Sequence, residues 1–354
     1  MSRPEGGPRT GEAKRGGAGL VAVARALGVS PSTVSNAYNR PDQLSAALRE
    51  RVLSKAAELG YAGPHPLARG LRTGRAGAVG VVFHDRVAYA FDDPAAVLFL
   101  QGFTGATDAE GLAVVLVPGG LGALSRGSPV RSAAVDGFVL HGVLADDPLV
   151  AATLERRLPT VAVDAPLVAG MDFIGIDDRA AAAGALRHLL ELGHRDLGLL
   201  ALQIPPDTDS VARRRRDGSL EAAAAAGIAP AAVAIVESVA STVEGGRAAT
   251  HALLDRARPS ALFAFSDPLA LGARIAARER GLFVPGDLSI IGFDGTAPEA
   301  EGLTSIHQPQ RDKGRLAAER LARTLTGDEP SRPRRELLPT RLVFRASTAP
   351  PRAS

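Results

Sequence analysis

The chain has no cysteine among its 354 residues. That excludes disulfides, thiolate-ligated zinc and cysteine nucleophiles, and it suits a reducing compartment. Aromatic residues make up 4% of the chain against 45% for the apolar set, so Ala, Val and Leu must supply most of the packing. No apolar run approaches the ~20 residues that a membrane-spanning helix requires. The opening stretch "MSRPEGGPRTGEAKRGGAG" carries charge but no apolar segment, so it does not read as a secretory signal. Its Gly, Pro and charge content suggest a disordered basic lead over residues 1–18. These absences lead to the expectation of a cytoplasmic protein with no membrane partner.

What is present is unevenly placed. Net charge is only +3, yet residues 1–75 hold twelve Arg and Lys against five acids. The head is therefore +7 (12 − 5) and the remainder −4 (3 − 7). A basic head on an acidic body points to a polyanionic partner for the head. Within it, Leu20, Val23, Ala24 and Leu27 fall on one helical face. Gly28 stops that helix, Ser30 is suited to cap a second, and Pro31 sits where a missing N–H costs nothing. Val34 and Tyr38 continue the second helix. Ser45 opens a third, striped by Leu48, Val52, Ala56 and Leu59 and ended by Gly60. Three short helices with a tight first turn describe a helix-turn-helix module over residues 19–62.

The stretch "VARALGVSPSTVSNAYNRP", followed by "LRERVLSKAAELGY", resembles the head of the LacI/GalR family of bacterial transcription regulators. Leu27 departs from the Ala usual before the turn glycine. The resemblance implies that Pro31, Ser32 and Asn36 face base edges in the major groove. Thr33, Ser35 and Asn39 are expected on phosphates. Asn at position 36 suits adenine, whereas Arg there would suit guanine. Residues 63–75 then match the family's hinge helix at Ala68, Arg69 and Leu71, with Gly70 in place of Ser. In the family, paired hinge helices enter the minor groove and each Leu wedges into the central base step.

From Ala76 onward the pattern changes. "AVGVVF", "LAVVLVP", "VDGFVLHG" and "TVAVDAP" read as buried parallel strands, separated by helices over Asp93–Glu110 and Asp147–Arg157. A second strand–helix series follows, so two doubly wound α/β lobes are expected. The Gly-rich "GGLGALSRGSPV" weakens the helix expected between the second and third strands. "SDPLALGA", "GLFVPGDLSIIGFDG", "LTSIHQP" and "RLVFRAST" extend the resemblance to about Thr348. It implies a two-lobed body, similar to periplasmic binding proteins, over residues 76–348, with crossovers near Ile174, Thr304 and Glu336. The first lobe would hold about 76–174 and 305–335, the second about 175–304 and 336–348, and 349–354 would be a tail.

Ligands of open α/β sheets bind beyond the C-terminal strand ends. Asp164, Asp267 and Asp294 each end a strand pattern, and Arg215 matches the family's "R–x–x–G" effector contact. A helix cap for Asp267 and an Asx-turn for Asp294 are equally compatible with those positions. Where the family often has "N–P–F", this chain reads "HDRVAYAFDDP". Tyr89 and Phe91 there could stack on a sugar ring or cover the lobe edge.

Enzymatic readings find little support. "PGGLGALS" lacks the third glycine of a dinucleotide loop, and no G–x–S–x–G is present. His188 and His194 are not at metal-ligand spacing; His194 reads as securing a turn. No cofactor or metal is expected. The resulting expectation is a repressor that binds a near-palindromic operator as a homodimer or tetramer, controlled by a small molecule, most simply a sugar. The alternatives are an activator and a solute-binding protein.

Overall fold

The computed structural model describes residues 19–63, 74–84, 86–119, 129–165, 168, 170–203, 208–238, 240–298, 301–328 and 333–352. The chain forms two compact units that divide between Ala76 and Gly77. The lead, the expected hinge helix with Arg69 and Leu71, and most of the Gly-rich stretch near residue 124 lie outside the described residues.

The first unit is all-helical: α1 (Leu20–Leu27), α2 (Pro31–Asn39) and α3 (Ala46–Glu58). Gly28 adopts φ 67°, a left-handed turn that a side chain would strain. Ser30 Oγ accepts the Thr33 N–H at 3.1 Å and caps α2, with Pro31 at its first position. Ser45 caps α3 likewise, accepting the Leu48 N–H at 3.3 Å. The core is small: Val23, Ala24, Val34, Ala37, Val52 and Ala56. Tyr38 and Tyr61 close its side edge to face, 5.9 Å between ring centres.

The second unit contains two six-stranded sheets. The first sheet has the order β2-β1-β3-β4-β5-β11. Its strands are β1 (Ala78–Phe83), β2 (Ala113–Val117), β3 (Gly137–His141), β4 (Thr160–Val163), β5 (Asp172–Gly175) and β11 (Arg335–Leu337). The second has the order β7-β6-β8-β9-β10-β12. It is built from β6 (Leu197–Leu202), β7 (Ala234–Ser238), β8 (Ala261–Ala264), β9 (Ser289–Asp294), β10 (Thr304–His307) and β12 (Arg341–Val343). All pairings are parallel except β10 with β12. Both lobes thus repeat one doubly wound order, with a switch point between β1 and β3 and another between β6 and β8. Strands β1 and β9 are buried along their whole length, as helices on both faces require.

The crossovers need correction. β10 belongs to the second sheet and β11 to the first, so the last two crossings follow His307 and Leu337 rather than Thr304 and Glu336. The C-terminal residues are no free tail either. Ala349 exchanges hydrogen bonds with Ser289 Oγ at 3.0 and 2.9 Å, and its carbonyl meets His194 Nε2 at 2.9 Å.

In the first lobe, helix Pro94–Ala109 packs on helix Gln310–Thr326 through reciprocal glycines. A Cβ on Gly102 would stand 1.9 Å from the Arg311 carbonyl oxygen, and one on Gly314 would stand 2.0 Å from that of Phe99. Both obstacles are backbone, so the helices would have to separate. Gly314→Ala is expected to destabilise by at least about 1–3 kcal/mol, measured as a lower urea midpoint for the full chain. An unchanged midpoint would refute the close crossing.

Candidate functional site

The first turn of α2 is exposed on the head. Pro31 and Ser32 are exposed, while Thr33, Ser35, Asn36 and Asn39 are half-buried. The Ser30 hydroxyl gathers those of Ser32 and Thr33 at 2.6 and 2.8 Å. Asn36 Nδ2 donates to Gln43 Oε1 at 3.2 Å, which fixes the amide's direction. Asn39 Nδ2 donates back to the Ser35 carbonyl and hydroxyl, at 2.9 and 3.2 Å. Its donors are spent within α2, which removes it as a phosphate donor in this conformation.

In the body, a cavity of about 500 Å³ opens between the lobes at both switch points, within the size range of small-molecule sites. The first lobe contributes Phe83 at the end of β1 and His84 after it, Tyr89, Asp93, His141 at the end of β3, and Asp164 after β4. The second contributes Leu202 and Gln203 after β6, Ser241, and Ser210, Val211 and Ala212 at the start of helix Val211–Ala225. Thr208 Oγ1 donates to Asp146 Oδ2 across the cleft at 3.4 Å. Burial, with the charge of Asp93, pushes the Tyr89 hydroxyl up to about 12, so it stays a donor.

Of the six residues expected to meet an effector, Tyr89 and Asp164 line this cavity. Phe91 does not: it is 61% exposed on the four-residue helix Tyr89–Asp92 and faces away, which overturns its reading as a stacking surface. Arg215, Asp267 and Asp294 lie behind the wall, buried and engaged with protein groups. Asp267 is held by the N–H groups of Thr296 and Ala297 at 2.6 and 2.9 Å and by Ser305 Oγ at 2.5 Å. It pins the loop after β9, and the helix cap is Ser266. Asp294 forms no Asx-turn, because the Thr296 N–H goes to Asp267; its own carboxylate accepts from Gln308 Nε2.

A chain of buried polar groups therefore runs beneath the cleft. Lys313 is fully buried; its Nζ donates to both Asp164 oxygens at 2.8 and 2.6 Å and to Gln308 Oε1 at 2.5 Å. Gln308 passes to Asp294, and Arg215 stands 3.9 Å beyond. Arg215 Nε donates to Asp178 at 2.9 Å and Nη1 to the Phe265 carbonyl at 2.6 Å, with its guanidinium 3.6 Å over the Phe293 ring. Burial alone would raise Asp164, but Lys313, His141 and Arg215 outweigh it and keep its carboxyl below the usual range. Burial raises Asp294 well above that range despite Arg215. Asp164 and Asp294 both hold left-handed backbone, φ 49° and 108°, strain that the network sustains.

Sequence reasoning missed Lys313, Gln308 and His141. The His141 ring lies 4.3 Å from that of Phe99 and 5.4 Å from that of Phe83, and its Nε2 is covered with no partner among the described residues. Burial pushes it down to about 4; Asp164 and Lys313 act in opposite directions. The folded protein then binds fewer protons than the unfolded chain between about pH 4 and 6.5. Stability is present above that window and is lost as pH falls through it. Wild type is expected to lose about 3 kcal/mol more than His141→Phe between pH 7 and 4, by urea unfolding at each pH. Parallel curves would contradict the buried neutral ring.

The signal available in the sequence was positional, since His141 ends the strand beside β1 at the switch point.

A helix-turn-helix head joined to a two-lobed body with an interlobe cleft is the architecture of a DNA-binding transcription regulator. Residues 20–63 match the model for bacterial regulatory proteins of the lacI family, and residues 186–348 match a periplasmic binding protein-like domain. The HTH-type transcriptional regulator Rv3575c of Mycobacterium tuberculosis is 43% identical, over 94% of this chain and 97% of that protein. A transcriptional regulator CelR–cellobiose complex superposes with TM-score 0.69 at 32% identity, covering 93% of this chain and 99% of the other. The lac repressor dimer bound to operator and the anti-inducer ONPF gives TM-score 0.76 at 26% identity, covering 94% and 99%. The chain belongs to the LacI family of transcription regulators. No helix among the described residues is long and apolar enough to cross a membrane.

Proposed function

We propose that the protein is a repressor that binds a near-palindromic operator as a homodimer, controlled by a small uncharged sugar or related polyol held between the lobes. The operator reading is carried by the first turn of α2, where exposed Pro31 and Ser32 flank the oriented Asn36 amide. Those three would meet base edges, with Thr33 and Ser35 on phosphates. The solved lac repressor dimer on its operator supports the twofold arrangement.

The sugar reading is supported by the chemistry of the cavity. Asp164 is paired with Lys313, His141 is held neutral, and the lining carries one further acid, Asp93, against one further base, Arg86. Such walls offer directional hydrogen bonds and little net charge, which suits hydroxyls. The cellobiose-bound neighbour agrees with that choice. Ligand control follows if the ligand favours one arrangement of the lobes over another.

Two measurements test this function. Operator affinity is expected to fall linearly in log–log form with salt, because the +7 head displaces counterions; a slope near zero refutes the electrostatic docking. A sugar that raises the melting temperature and also changes operator affinity supports ligand control. Stabilisation without any change in operator affinity refutes it.

A further inference from the structure

We infer that His141 determines effector specificity: resting on a hydroxylic ligand in this cleft, its imidazole presents Nδ1–H to one ligand hydroxyl while the Asp164 carboxylate accepts from the same group.

The ring is packed against two aromatic neighbours. It ends β3 and lies 4.3 Å from the Phe99 ring, with the Phe83 ring 5.4 Å away. His141 pairs with Val163 across β3 and β4, so Asp164 is the next residue on the neighbouring strand. Both line the cavity. Nε2 is covered and has no partner among the described residues, so Nδ1 is the nitrogen that remains to meet a ligand. A neutral imidazole carries one proton. A buried N–H with no acceptor is rarer than an unfilled acceptor, because the orphan donor loses its water outright. The proton therefore belongs on Nδ1, and the cleft wall shows a donor beside an acceptor.

That pair imposes a rule. Lys313 already keeps Asp164 ionised and saturates one side of it, so the carboxylate acts as an acceptor. A hydroxyl both donates and accepts, and satisfies the two groups at once. An ammonium at that place has no lone pair for Nδ1–H. A deoxy position leaves two buried polar groups unfilled, which polar sites penalise strongly.

The test has two arms on the full chain. ¹⁵N NMR of histidine-labelled protein, with the His141 signals identified by their loss in His141→Phe, is expected to show the Nδ1–H tautomer at pH 7. The Nε2–H tautomer overturns the assignment. In the second arm, wild type, His141→Phe and His141→Gln are titrated calorimetrically with neutral mono- and disaccharides, cellobiose among them, and with their deoxy and amino counterparts.

His141→Phe keeps an aromatic ring in the stack, and a ligand-free melt is the check that it folds. It is expected to bind the wild-type ligand at least about tenfold more weakly, the cost of one hydrogen bond lost from a buried site. It should also lose discrimination against the matching deoxy compound, and His141→Gln should restore part of both. Equal binding and equal discrimination in wild type and His141→Phe overturn the role of His141 and leave the sugar reading standing. If no hydroxylic compound binds wild type, the sugar reading itself falls, and this inference with it.

Discussion

Lys313→Met is expected to destabilise the body by about 3–5 kcal/mol, the loss typical of breaking a buried ion pair by removing one partner. Lys313 is fully buried, and its three donors go to the two Asp164 oxygens and to Gln308. Methionine fills similar space but leaves the Asp164 charge uncompensated, with only 12% of its side chain open to the cleft. Removing both charges should be milder. In Lys313→Met/Asp164→Asn the amide tolerates left-handed backbone, and more than half of the lost stability should return. Urea unfolding of the two single variants and the double variant forms a cycle that isolates the coupling. Additive losses would mean that the pair is not coupled.

That pair also shows where sequence reading stops. Head structure is local: Gly28, Ser30, Pro31 and Ser45 act within a few residues of themselves, and each does what its chemistry suggests. The two lobes are legible for a related reason, since alternating buried strands and amphipathic helices leave a repeating pattern. The cleft is legible only in part. Strand-end positions identify Asp164, Asp267 and Asp294 as candidates, but the direction of each carboxylate depends on residues far along the chain.

Asp267 turns to the loop at Thr296 and Ala297, and Asp164 finds a lysine 149 residues away. No periodicity or spacing announces such partners. Phe91 fails for a similar reason. Asp93 caps the next helix from just beyond it, and Phe91 is left on the outer side of a four-residue helix. Arg215 is the informative intermediate case. One arginine of the run Arg213–Arg216 turns inward, as a run on an amphipathic helix requires. It spends its donors on Asp178 and Phe265 rather than on the cavity.

Asn36→Arg is expected to change which base the head prefers at one symmetric position of the operator, from A·T toward G·C. Asn36 lies one turn beyond the exposed start of α2, and its amide is already oriented by Gln43. A planar amide matches the N6 and N7 edge of adenine; a guanidinium matches O6 and N7 of guanine. Discrimination at a bidentate contact is about 1–3 kcal/mol per base pair, hence roughly 2–6 kcal/mol over two half-sites. Added positive charge also raises affinity for all sequences, so bare affinity cannot separate the two effects. Selection of random operators by wild type and variant at one salt concentration can, because only direct readout alters the recovered motif. Gln43→Ala provides the control: it frees the amide without changing charge, and it should blur the preference for adenine at that position and nowhere else. If wild type and Asn36→Arg recover identical motifs, residue 36 faces phosphate or solvent. Base choice would then rest on Pro31 and Ser32.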